Sequence, residues 1–223
     1  MSFITELEKD FRQHSNPEMA APMEAYMKNK FSFLGIKTEM RRALLNKHWK
    51  AHKDEVKTNY RAITWELFQM KEREFHQCAI DILTKEIKKN YQIDDIDLIE
   101  QFLITNSWWD SVDTLAKYVL GNYLLQYPSE IYKTVERFSN SSNMWLNRSA
   151  ILFQLSYKDK TDFELLQSLC EQHKESKEFF IQKAIGWVLR DYSRYNPIGV
   201  KNYVAMAKLK PLSEREALRL LRH

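Results

Sequence analysis

The segment Arg148-Ser149-Ala150-Ile151-Leu152-Phe153-Gln154-Leu155 aligns with Gln182-Lys183-Ala184-Ile185-Gly186-Trp187-Val188-Leu189 at an offset of 34 residues. Ala150 then matches Ala184, Ile151 matches Ile185, Phe153 matches Trp187 and Leu155 matches Leu189. Ala116 stands 34 residues before Ala150, and Ala79 stands 37 residues before Ala116. Within each copy the apolar residues recur at three and four, the period of a helix with one buried face. Helix pairs repeating at this interval stack into an α-solenoid, each burying its apolar face on the next. In such an array the second helix of each pair lines one concave surface. Asp113, Arg148 and Lys183 then occupy equivalent places on successive helices.

Composition agrees with an all-α chain. Four Gly and five Pro in 223 residues is far below the roughly 12% of average usage. Rossmann folds, sandwiches and barrels need many glycine-dependent turns, and four cannot supply them. The expected fold is a right-handed α-solenoid of HEAT-like (or TPR-like) helix pairs with a concave basic face. It forms one domain over residues 1–223. Helices are expected at 2–14, 17–29, 38–53, 55–70, 72–90, 94–105, 107–126, 128–139, 143–157, 161–175, 177–195, 197–208 and 213–222. Their starts are marked by Asn16-Pro17, Asn196-Pro197 and Pro128. The patterns at Ser107–Asp110, Thr161–Glu164 and Ser213–Glu216 read as capping boxes.

Hydrophobic residues make up 44% and charged residues 29%, as in an ordinary soluble globule. The longest uncharged stretch runs from Tyr118 to Ser129, short of the ~20 residues a membrane span needs. The amphipathic start, with Phe3, Leu7 and Phe11, is not a targeting peptide. Cys78 and Cys170 are too few for a disulfide framework or zinc site and read as core residues. A reducing, cytoplasmic compartment follows.

Charge is segregated. Residues 28–53 carry Lys28, Lys30, Lys37, Arg41, Arg42, Lys47, Lys50 and Lys53 against Glu39 alone, net +7. Residues 177–223 are net +6, while 1–27 are −3 and 54–176 are −6. Basic ends brought onto one face would bind phosphate; a solvated lysine-rich face explains them equally. No phosphate-binding glycine loop, dinucleotide fingerprint or serine nucleophile elbow is present. His48 and His52 lie four apart but lack a zincin glutamate, and read as solvated or phosphate-facing rather than metal ligands.

Ser107-Trp108-Trp109-Asp110-Ser111-Val112-Asp113 is the segment with chemical content. With Ser107 as the cap, Asp110 is the capping acid, and Trp109 and Asp113 share one helix face. A carboxylate beside an indole near a helix N-terminus stays ionised and can stabilise a developing cation or hold a water. Spacing alone fits a surface aspartate with Trp109 in the core rather better.

Six dispersed motifs, spanning nearly the whole chain in order, carry a resemblance. They are Tyr26-Met27-Lys28-Asn29-Lys30-Phe31 with Leu34-Gly35-Ile36 and Arg41-Arg42; Ser107–Asp113; Trp145-Leu146-Asn147-Arg148; Gln154-Leu155-Ser156-Tyr157-Lys158; Phe180–Trp187; and Leu189-Arg190 with Leu212-Ser213-x-Arg215-Glu216-Ala217. The chain resembles the AlkD family of DNA alkylation repair enzymes, HEAT-like-repeat DNA glycosylases. Lys37 departs from the pattern, where a polar neutral residue is expected.

The resemblance implies hydrolysis of the N-glycosidic bond of N3- and N7-alkylated purines in duplex DNA, the first step of base excision repair. Asp113 is the anion facing a cation-like sugar, Trp109 and Trp187 present their π-faces, and Arg148 orients Asp113, holds a phosphate, or both. Tyr26, Lys28, Lys30, Arg41, Arg42, Lys158, Lys183 and Arg190 are the implied DNA contacts. No metal, cofactor, membrane or obligate protein partner is implied, and the chain is expected to be a monomer. Two alternatives remain: an inactive helical-repeat binder of branched or distorted DNA, and a protein-binding solenoid scaffold. The presence of Trp109, Asp113, Arg148 and Trp187 weighs against the first, and the basic segments weigh against the second.

Overall fold

The structure, a computed structural model, describes residues 2–221. Among them the regular structure is helical, and the one β-type pairing is an isolated bridge between Ser32 and Glu72. No helix among these residues is long and apolar enough to cross a membrane. The chain packs as two compact units, divided between Asn90 and Tyr91.

The first unit holds α1 (Phe3–Gln13), α2 (Pro17–Tyr26), α3 (Thr38–Ala51), α4 (Lys53–Gln69) and α5 (Arg73–Glu86). Phe3, Leu7 and Phe11, spaced by four, put α1's apolar stripe wholly inside, and Phe11 stacks on Phe75 at 5.3 Å. Asn16 caps α2 by accepting the Met19 amide, with Pro17 in the first turn, as the sequence implies. Between α2 and α3 the chain is held by a buried acid: Glu74 accepts the amides of Leu34, Gly35 and Ile36 at 3.1, 2.9 and 3.1 Å. Gly35 has φ +86°, and a Cβ there would lie 2.0 Å from the Asn16 carbonyl oxygen. Only glycine fits this turn.

The two histidines singled out, His48 in α3 and His52 just after its end, are neither solvated nor phosphate-facing. His48 is buried, its Nε2 2.7 Å from Asp10 Oδ2, and His52 bridges Glu6 and Glu55 at 3.0 and 2.9 Å. They tie α1 to the start of α4. Asp10 and Glu6 lie 38 and 46 residues away in sequence, beyond any local pattern; Glu55 is the local partner, three residues on.

The second unit holds α6 (Asp95–Ile104), α7 (Trp109–Thr114), a π-helical segment (Leu115–Leu120), α8 (Gly121–Gln126), α9 (Ile131–Ser139), α10 (Met144–Leu152), α11 (Phe163–His173), α12 (Phe179–Tyr192), α13 (Pro197–Ala207) and α14 (Pro211–Ala217). Ala116, Ile151, Ala184 and Ile185, matched by the internal repeat, meet in one buried cluster with Leu155 and Leu189. α10 lies at its centre, packed on α9, α11 and α12. Cys170 joins this core, and Cys78 is buried in the first unit. Burial pushes the Cys78 thiol up to about 12.

Three cap assignments change. Ser107 donates to the Leu103 carbonyl instead, and α7 begins two residues later. Asp162, not Thr161, caps α11 by accepting the Leu165 amide. α14 begins at Pro211, and Ser213 donates across to the Gln182 carbonyl. The expected last helix ran to Arg222, which lies outside the described residues.

Candidate active site

α7 starts at Trp109, where the backbone turns on Ser111. The Ser111 hydroxyl accepts the Trp108 amide at 3.4 Å and donates to the Trp108 carbonyl at 3.0 Å. Asp110 is therefore in the second helical position and is not the reciprocal capping acid. The spacing argument survives the shift, because Trp109 and Asp113 still share a helix face, one turn apart. The chain after Thr114 widens into a π segment, an uncommon geometry frequent at functional sites. Asp113 sits just before that widening.

Asp113 is held by a single guanidinium. Arg148 Nε donates to Oδ1 at 2.7 Å and Nη2 donates to Oδ2 at 2.9 Å, a bidentate fork. The third arm, Nη1, donates to the Phe180 carbonyl of α12. Arg148 is 4% exposed, so its donors are committed inside the protein, to Asp113 and to the Phe180 carbonyl. Asp113 is only partly covered. Burial is the largest influence on its carboxyl and raises it above the ordinary value; Arg148 pulls the other way, and Asp110 adds to the rise. Both oxygens accept N–H donors, which is the geometry of the carboxylate.

An aromatic cluster adjoins Arg148 through Phe180. Trp108, Trp145 and Phe180 meet edge to face or tilted, with centroids 5.1 to 5.8 Å apart. Arg148 lies 5.9 Å from the Phe180 ring. Water excluded from the guanidinium strengthens its hold on the carboxylate. Asn147, next to Arg148, pins the turn before α10 by donating to the carbonyls of Phe138, Ser139 and Ser141. The sequence offered Trp145 and Phe180 only as motif members, and nothing local told that Phe180 would lie against Arg148.

Trp109 is half-buried at the first position of α7. Trp187 is half-buried on α12, packed against the core cluster. On the same stripe of α12, Lys183 Nζ and Arg190 Nη1 both reach Glu216 of α14, Lys183 at 3.1 Å. Lys158 is exposed, in a turn where Ser156 and Lys158 take positive φ. That turn is fixed by Gln154, which bonds both the Asp162 amide and its carbonyl, and by Asp191, which accepts the Ser156 amide.

In the first unit, Tyr26 closes α2 at 66% exposure. Lys28 and Lys30 are exposed, Lys28 and Asn29 both turning the chain with φ +56°. Arg42 is exposed. Arg41 is a correction: it is 3% exposed, and its guanidinium donates to Asp81 at 2.8 Å and approaches Cys78. A buried, paired arginine is not free to reach a phosphate. Among the described residues no group of three His, Cys, Asp or Glu could hold a metal ion.

No curated protein sequence matches the chain. A solved structure described as a predicted DNA alkylation repair enzyme from Enterococcus faecalis is 34% identical, with a TM-score of 0.85. The match covers 93% of this chain and 97% of that one. AlkD2 from Streptococcus mutans shares the fold at 16% identity and a TM-score of 0.59, over 90% of this chain and 96% of the other. The family model for DNA alkylation repair enzymes matches residues 7–221, and the chain belongs to that family.

Proposed function

We propose that the protein is a DNA glycosylase that hydrolyses the N-glycosidic bond of cationic N3- or N7-alkylated purines in duplex DNA. The carrying observation is the Asp113 carboxylate, fixed by both arms of the buried Arg148 fork. An alkylated purine already carries positive charge, so its leaving needs no strong acid. The C1′–N bond breaks with its electron pair going to the purine, which departs neutral. Positive charge gathers on the deoxyribose. An oriented anion stabilises that charge without having to reorganise, and indole faces add cation–π attraction. Water then forms the new C1′–O bond and loses a proton, leaving an abasic site. Asp113 supplies the anion and orients the water, Trp109 and Trp187 flank the sugar, and Arg148 is a positioning residue.

Duplex binding rests on Tyr26, Lys28, Lys30, Arg42, Lys158, Lys183 and Arg190; Arg41 is left out because it is buried against Asp81. No metal or cofactor enters this reading. The test is release of 7-methylguanine from methylated duplex DNA by the purified protein. Release by the wild type and its loss in Asp113→Asn support the reading. Duplex binding without release by the wild type overturns it in favour of an inactive DNA-binding relative.

A further inference from the structure

Lys183, Trp187 and Arg190 fall at i, i+4 and i+7 on α12 and so share one stripe. Both cations turn toward α14. Lys183 Nζ is 3.1 Å from Glu216 Oε1, and Arg190 Nη1 donates to the other oxygen, Oε2. One carboxylate thus anchors the two cations that bracket the tryptophan, with Arg219 a further 3.8 Å neighbour. Burial pushes the Glu216 carboxyl up, but its hydrogen bonds to Lys183 and Arg190 outweigh this and leave it below the ordinary value.

The approach of α14 to α12 is built for this contact. Gly186 lies beneath Glu216: a Cβ at 186 would come 2.5 Å from Glu216 Cβ and 2.8 Å from the Ser213 carbonyl oxygen. Ser213 donates to the Gln182 carbonyl at 3.0 Å, one turn before Gly186. Helix α14 is therefore fastened to α12 on both sides of the glycine. A solvated basic face would need none of these arrangements.

We propose that Glu216 is a positioning residue, which holds Lys183 and Arg190 on the two flanks of Trp187 and so sets where the backbone of a duplex lies relative to that indole. The proposal rests on the glycosylase reading above. Glu216 also keeps one unit of positive charge from the DNA, since two cations share it in the free protein. Binding and chemistry should then respond in opposite directions when the carboxylate is removed.

The experiment uses the full chain with Glu216→Gln, Arg190→Gln, Lys183→Gln and the corresponding double variants. Single-turnover release of 7-methylguanine at saturating protein should slow about tenfold in Glu216→Gln. Its affinity for undamaged duplex at low salt should hold or rise, and its salt slope should steepen by about one. In an Arg190→Gln/Lys183→Gln background, Glu216→Gln should cost little further rate, because it acts through those residues. A wild-type rate in Glu216→Gln overturns the proposal, as does a defect that adds in full to the background. Affinity and thermal stability falling together would make Glu216 merely structural and also overturn it. If the wild type releases no base, the glycosylase reading fails by itself; an unchanged salt slope in Glu216→Gln then overturns the charge-holding role separately.

Discussion

Asp113 receives both arms of one guanidinium, so removing its charge while keeping its shape is the informative substitution. In Asp113→Asn the developing sugar cation loses its anion. The rate of base release should fall at least a hundredfold, about 2.7 kcal/mol of barrier, while duplex affinity holds or rises. Asp110→Asn, on the same helix turn, is the control and should leave the rate nearly unchanged. The pH profile has a definite sign. Burial raises the Asp113 carboxyl, so the group gains its proton at a higher pH than an ordinary aspartate. Activity, which needs the anion, should be lost on acidification at a higher pH than an ordinary aspartate would set, and an acid limb at or below the ordinary aspartate value would contradict it. The same shift means that protonation of Asp113 favours the folded state, so lost activity there would not reflect unfolding through this group. The Trp109–Asp113 pairing was legible because four-residue spacing survives an error in helix start. Ser107's role was not, since a serine one or two residues before a helix can cap it or bond backwards, and here the Leu103 carbonyl takes its hydroxyl. Arg148 illustrates the limit further. Its fork onto Asp113 spans 35 residues, and the sequence left open whether it met a carboxylate or a phosphate.

The helices themselves were readable from apolar periodicity and proline punctuation, mostly to within two or three residues. What the pattern hid is the π segment at Leu115–Leu120, because one wide turn barely disturbs a run such as Leu115, Ala116, Val119 and Leu120. The contact of α12 with α14 was hidden too. Gly186 read as one member of an aligned repeat, whereas its function is the absence of a side chain under Glu216 and Ser213. Gly186→Ala tests this. Propensity alone would stabilise a helix interior by roughly 0.5–1 kcal/mol, yet the new methyl would stand 2.5 Å from Glu216 Cβ. Overpacking of this kind costs about 1–3 kcal/mol, so the net effect should be destabilising. A lowered midpoint in chemical denaturation is the expected outcome, and an unchanged or raised midpoint would mean that α14 yields freely.

Scarcity of glycine and proline was enough to identify an all-α chain, but net charge could not say which cations are available to a ligand. Adjacent arginines show why. Arg41 and Arg42 look alike in sequence, yet the helix buries Arg41 against Asp81, 40 residues on, while Arg42 stays exposed at 3.6 Å from the same carboxylate. The consequence is a division between substitutions that change binding and one that changes folding. Each phosphate contact adds about 0.9 to the slope of log affinity against log salt. Neutralising Lys28 and Lys30 should therefore flatten the slope for undamaged duplex by nearly two, with the loss uniform across sequences and thermal stability almost unchanged. Arg41→Gln should leave the slope alone. It leaves Asp81 with the longer 3.6 Å contact from Arg42 and opens space beside Cys78, which should cost on the order of 2–3 kcal/mol of folding stability. Salt-titrated binding and denaturant melts on the two variants separate these effects. A flattened slope with intact stability in Arg41→Gln would show that the guanidinium leaves Asp81 for DNA, and would return Arg41 to the binding surface.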